Sequence, residues 1–158
     1  MITMRLWGSI FALCGVILGA FASHALKEKL SFESLSSFQI GVRYMMYHAL
    51  ALLLFSVIHT EVSRVQNWTL ILFVIGIFLF SGSIFLLSTQ SIHQMKVSFL
   101  GPITPIGGLF LIAGWALQVF YFFNSYGVPY IIHFLYTFQS PSSLRESREL
   151  GLLYPPSS

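Results

Sequence analysis

LWGSIFALCGVILGAFASHAL, residues 6–26, runs for 21 residues without a charge between Arg5 and Lys27. As a helix it reaches roughly 30 Å, the thickness of a bilayer's hydrocarbon core. Three further charge-poor runs follow. Tyr44–Thr60 lies between Arg43 and Glu61; an apolar stretch from Trp68 to about Leu87 sits inside uncharged 65–95; and Ile106–Tyr126 sits inside uncharged 97–144. The expected spans are about 6–26, 43–60, 68–88 and 105–126. In lipid each backbone N–H must be paired within the segment, so helices are expected. A barrel would need alternating strands of about ten residues, and these runs do not alternate. The expected fold class is all-α: a polytopic integral membrane protein built as a four-transmembrane-helix bundle.

Composition agrees. Of 158 residues 56% are hydrophobic and only 8% charged, and Asp is absent. Soluble domains carry about 25% charged residues. Mean hydropathy is +0.79. Lipid must solvate most of such a surface, which excludes a secreted disulfide scaffold, a coiled coil, a disordered tail and an ordinary cytosolic enzyme. The net charge is +3, but the eight Lys and Arg are scattered, so no nucleic-acid partner is expected. Cys14 is the single cysteine, so no internal disulfide can form. Ala20-Phe21-Ala22 resembles a signal-peptide cleavage site, yet the apolar run exceeds an ordinary signal core, and an uncleaved first helix is expected.

Two domains are expected: a transmembrane domain over 1–126 and an extension over 127–158, interfacial or partly disordered. In the extension, Val128–Phe138 is too short to span, and Ser143-Leu144-Arg145-Glu146 reads as a capping box. In the first link, Phe32, Leu35, Phe38 and Val42 keep helical spacing, giving a short interfacial helix or an extension of the second span. Four spans place both termini on one side. Positive charges balance until Arg145 and Arg148, far from the last helix, are discounted; the bias then puts the termini outside. A multi-pass protein of the bacterial plasma membrane is expected.

The first span carries small residues on one face: Gly8, Ala12, Gly15, Gly19 and Ser23. Such a seam lets helix backbones approach, within one bundle or in a homodimer. The four-span topology also gathers polar residues at one end. His24 closes the first helix; Arg43, Tyr44, Tyr47 and His48 open the second; Ser81 and Ser83 lie late in the third; Thr104 leads into the fourth. Intramembrane polar groups are functional candidates by default. The bland reading is hydrogen-bonded glue between helices; the sharper ones are a solute or proton path, or a partner surface. Haem ligation is not expected, since His24 and His48 sit at different depths and no second pair exists. Zinc needs three or four ligands, and hydrolysis an orienting acid; with no Asp and no Glu inside a spanning helix, neither is expected. No cofactor is expected.

Gly101-Pro102-Ile103-Thr104-Pro105-Ile106-Gly107-Gly108 marks the last link. Pro102 and Pro105 remove two N–H donors and bias Gly101 and Thr104 away from helix. An ordered extended cap, lying over the bundle end or re-entrant, is expected here, with Thr104 capping the fourth helix and Gly107-Gly108 allowing close packing.

Taken in order, Gly19–Lys27 (GAFASHALK), Val42–Leu52 (VRYMMYHALAL), Leu79–Phe85 (LFSGSIF) and Gly101–Leu109 (GPITPIGGL), through Ala113-Gly114-Trp115, resemble the YgdD/transmembrane protein 256 family, domain of unknown function 423. The resemblance covers about residues 5 to 125. It implies a small four-helix membrane protein and no assigned reaction. Met45 stands where the family has Gln, and Phe85 where it has Tyr; each removes a polar group from the end cluster. Together these readings make the chain a non-enzymatic structural or partner-docking membrane component. The alternative is a small transporter or channel lined by His24, Arg43, Tyr47 and His48. The expected partners are the lipid bilayer and, on the docking reading, a second copy or another membrane protein.

Overall fold

The computed structural model describes residues 2–58, 64–127 and Leu135. The helices are α1 (Ile2–Phe21), α2 (Phe32–Ile58), α3 (Arg64–Ser88), α4 (Gln90–His93) and α5 (Ile103–Phe122). Five-residue π-helical turns extend α1 through Ala22–Leu26 and α5 through Phe123–Gly127. No strand occurs among the described residues. Four helical segments, Ile2–Leu26, Phe32–Ile58, Arg64–Ser88 and Ser98–Ser125, are long and apolar enough to cross a bilayer. The chain divides into two compact units, Met1–Gln118 and Val119–Ser158. Val128–Phe138 (apart from Leu135), the capping box at Ser143 and the rest of the expected extension lie outside the described residues.

The helices begin where their ends can be satisfied. A helix leaves its first N–H groups unpaired. Ser31 precedes α2, and its hydroxyl accepts the Ser34 N–H at 3.3 Å. Glu33 adds a negative charge in that first turn, which favours the positive end of the helix dipole. The first link is thus mostly an extension of α2, and Glu33 lies inside a helix after all, in its first turn. Phe38, on the extension, packs against Ala22, Leu26 and Leu30 and meets the Phe85 ring at 4.7 Å. At the other end of α2, the Arg5 guanidinium donates to the Ser56 carbonyl at 3.5 Å, a cation placed against the last turn's free carbonyls.

The glycines of the small-residue seam face α2. A Cβ added at Gly8 would lie 2.9 Å from Leu53 Cγ, at Gly15 3.1 Å from Met46 Cε, and at Gly19 3.6 Å from Val42 Cγ1. Rising numbers on α1 meet falling numbers on α2, so the pair is antiparallel. The glycines of the seam serve packing within one chain.

The last link, from α3 to α5, departs from its expected form. After α4, Gln94 takes a left-handed φ of 55° and its N–H bonds the Gln90 carbonyl. His93 holds this turn: its Nδ1 accepts the Met95 N–H at 3.1 Å, and its Nε2 then donates to the Leu86 carbonyl at 3.0 Å. A short 3-10 turn, Ser98–Leu100, leads to Gly101, whose φ of −51° and ψ of −53° are helical. Thr104 and Pro105 are already inside α5. The prolines therefore do not extend the chain into a cap. Pro105 falls in the first turn, where an N–H has no intrahelical partner to lose. Gly101 has no Cβ to clash with the Pro102 ring.

Candidate functional site

In the membrane-spanning part of α2 one residue is both ionisable and buried. His48 is 5% exposed. Its Nδ1 lies 2.7 Å from the Tyr44 carbonyl oxygen, one turn back. Its Nε2 lies 3.1 Å from Trp115 Nε1 on α5. An indole nitrogen only donates, so Nε2 must accept, and Nδ1 carries the proton that goes to Tyr44. The imidazole is therefore neutral, in one tautomer, with both nitrogens engaged. Aromatic rings enclose it. Phe73 of α3 meets His48 edge-on at 5.0 Å, while Phe73 and Phe55 meet Trp115 at 5.5 and 5.6 Å. Such tilted ring pairs are favourable beyond their contact area. A histidine held this way joins α2 to α5 and has no free nitrogen for a metal or a moving proton.

A second set of contacts joins α3 to α5. The Ser83 hydroxyl donates to the Phe80 carbonyl at 3.0 Å. Its one hydrogen is thereby committed, so at the 2.6 Å contact with Thr104 Oγ1 it is Thr104 that donates. Thr104 accordingly bonds across the bundle and does not cap its own helix. A Cβ on Gly107 would lie 2.8 Å from Phe80 Cα; on Gly76, 2.5 Å from Leu111 Cδ2; on Gly114, 2.5 Å from Phe73 Cδ1. At the far end the Gln118 amide donates to Thr69 Oγ1 at 2.8 Å, both residues buried. The pairs are thus 83 with 104, 80 with 107, 76 with 111, 73 with 114 and 69 with 118. In every pair the two numbers have the same sum, the mark of an unbroken antiparallel register. Steps of three and four along each helix form a coiled-coil-like seam, with a side-chain hydrogen bond at each end and small residues where backbones meet.

The polar residues expected at one end of the bundle do not form a single cluster. Thr104 and Trp115 are eleven residues apart, about 16 Å along α5. The Ser83–Thr104 pair therefore lies near the links, and His48 with Trp115 lies well down the bundle. His24, Arg43, Tyr44 and Tyr47 are exposed on the outside of the helices. The Tyr44 ring still packs against Phe80 at 4.7 Å and Tyr47 at 6.2 Å. Ser23 is also exposed and donates to the Gly19 carbonyl at 3.0 Å. Ser81 is fully buried, and its hydroxyl has no hydrogen-bond partner among the described residues. Ala12 is half-buried. Of the loop residues, Gly107 makes the close backbone approach, whereas Gly108 meets only the Phe80 ring at 3.7 Å; Gly101, Pro102 and Pro105 are exposed.

Sequence reasoning missed Thr69 and Gln118 as interior partners, and Trp115, itself 43% exposed, as the partner of His48. The signal was present. A tryptophan within a span needs an acceptor for its N–H, and positions 104, 107, 111, 114 and 118 already carry the spacing of one helix face.

Fold and interior together define a class, the multi-pass α-helical membrane protein with polar side chains paired across its helices. The chain belongs to the family described as "Protein of unknown function (DUF423)", which matches residues 18–108. It is 39% identical over 127 residues to a UPF0382 membrane protein of Staphylococcus haemolyticus, covering 78% of this chain and 100% of that one. A UPF0382 membrane protein of Staphylococcus aureus (strain bovine RF122) is 42% identical over 112 residues, covering 71% and 88%. UPF0382 membrane protein YwdK of Bacillus subtilis is 40% identical over 114 residues, covering 71% and 89%. No solved structure matches the chain. It is a membrane protein of a family without assigned function.

Proposed function

We propose that the protein is a non-enzymatic component of the bacterial plasma membrane, whose interior polar groups lock a four-helix bundle and whose outer polar stripe docks another membrane protein. The observation that carries this reading is the state of His48. Both its nitrogens are engaged inside the bundle, as glue requires and as a proton path does not. The paired Ser83–Thr104 and Thr69–Gln118 contacts support it in the same way. Arg43 and Tyr47, one turn apart on the exposed side of α2, supply the docking stripe. Relatives named as membrane proteins in several bacteria support the location.

His48→Gln tests the reading. The unchanged protein in liposomes should pass neither protons nor small solutes, and the variant should melt at lower temperature in detergent. Flux through the unchanged protein, abolished by His48→Gln with the melting temperature kept, would overturn it in favour of a transporter.

A further inference from the structure

At the link end of the bundle a cavity of about 420 Å³ opens between the start of α2, the end of α3 and the first turn of α5. The geometry points to this cavity as a binding site for a small ammonium ligand. Its polar side chains are the Glu33 carboxylate and the hydroxyls of Ser34, Ser37, Ser88 and Thr104. Glu33 carries the only formal charge among these groups, and it is negative. Glu33 and Ser37 are one helical turn apart and so share a face of α2.

Ser88 is the independent sign of a ligand. It is 6% exposed and lines the cavity, yet its hydroxyl bonds no described residue. A serine within a helix ordinarily satisfies itself on the preceding turn's carbonyl; this one is left for an occupant. Thr104 adds direction. Its hydrogen is committed to Ser83, so toward the cavity it offers only lone pairs. The Glu33 carboxylate and the Thr104 lone pairs suit a cationic donor, and a protonated amine has three N–H groups and no acceptor. The volume far exceeds the roughly 30 Å³ of one water, too roomy for a bare ion. Ile84 and Leu87 complete the wall and suit the methylenes of an organic amine. Phe32, beside Glu33, is 87% exposed, as expected at the depth where headgroups lie. The ammonium can thus come from an ethanolamine headgroup or from a free small amine.

The test uses the full chain purified in detergent, titrated calorimetrically with ethanolamine and, separately, with isethionate, an anion of similar length. Ethanolamine should bind saturably and isethionate should not. Glu33→Gln should weaken ethanolamine about tenfold or more, the scale of a lost charge-assisted hydrogen bond. Ser88→Ala should weaken it less, and Ser37→Ala provides a further variant on the α2 face. Nanodiscs then separate the sources. Loss of ethanolamine binding when phosphatidylethanolamine joins phosphatidylglycerol assigns the site to a lipid headgroup; equal binding in both assigns it to a free amine. Absence of saturable binding in every medium would overturn the proposal. So would Glu33→Gln binding as the unchanged protein does while keeping its helicity, or isethionate binding equally well.

Discussion

Two interfaces in this bundle are built from glycine, and they differ in what the glycines meet. Along α1 and α2, Gly15 meets the flexible end of Met46 and Gly19 meets Val42 at an ordinary contact distance. Along α3 and α5, Gly107 meets the Phe80 backbone and Gly114 the fully buried Phe73 ring. In lipid no hydrophobic drive separates the two interfaces, so closeness of packing and interhelical hydrogen bonds decide which is stronger. The first is a seam of accommodation. The second is a fixed register with a hydrogen bond at each end.

Gly107→Ala should break that contrast most sharply. The new methyl would have to displace backbone, which cannot swing aside. The cost of overpacking is about 3 kcal/mol, from which helix propensity returns up to about 1. Reversible unfolding in mixed detergent should show a net loss of about 2 kcal/mol or more. Gly114→Ala should fall close behind, because the Phe73 ring it would meet is fully buried. A loss for Gly107→Ala no larger than that for Gly15→Ala would dissolve the distinction between the interfaces.

Next in size is Trp115→Phe, which keeps an aromatic ring but leaves His48 Nε2 without its donor. Intramembrane hydrogen bonds average about 0.6 kcal/mol with a maximum near 1.7, so a loss of about 1 kcal/mol is expected. A double-mutant cycle with His48→Phe isolates the bond: the two changes should be non-additive by a similar amount. The same cycle on Thr69→Val and Gln118→Leu should give a coupling of about 0.6 kcal/mol. Additive behaviour in both cycles would mean that packing alone holds α5.

How far this contrast was legible in the sequence follows from what each interface is made of. The spans were plain, because a lipid-solvated helix must be apolar along its length and charges mark its ends. The α1 seam was plain because five small residues repeat on one face. The helical form of 103–105 was not, since proline reads as a breaker until its position in the first turn is known. Nor was the division of the polar residues. Depth along a helix can be counted, but rotation about the axis decides whether His48 or Tyr47 faces inward, and that is set by partners on α3 and α5. Gly76 went unremarked, and Gly114 entered only through the family resemblance, for the same reason: each matters through one residue of a distant helix.

Gly19→Ala should produce the smallest effect and probes the loose end of the loose interface. Its added methyl would sit 3.6 Å from Val42 Cγ1, an ordinary van der Waals contact. Nothing need move, so no overpacking cost arises. Alanine is preferred to glycine within a helix by up to about 1 kcal/mol, partly because glycine loses more backbone freedom on folding. The expected outcome is no loss, or a gain of a few tenths of a kcal/mol, in the same detergent titration. Gly8→Ala belongs between the extremes, because its methyl would meet Leu53 Cγ at 2.9 Å and the Ala49 carbonyl at 3.0 Å, one neighbour that can turn and one that cannot. Stability losses should therefore rise from Gly19 through Gly15 to Gly8 as α1 approaches Arg5, whose guanidinium ties α1 to the end of α2. Equal losses at all three positions would show that α1 is gripped uniformly and that the contact distances to α2 do not govern its packing.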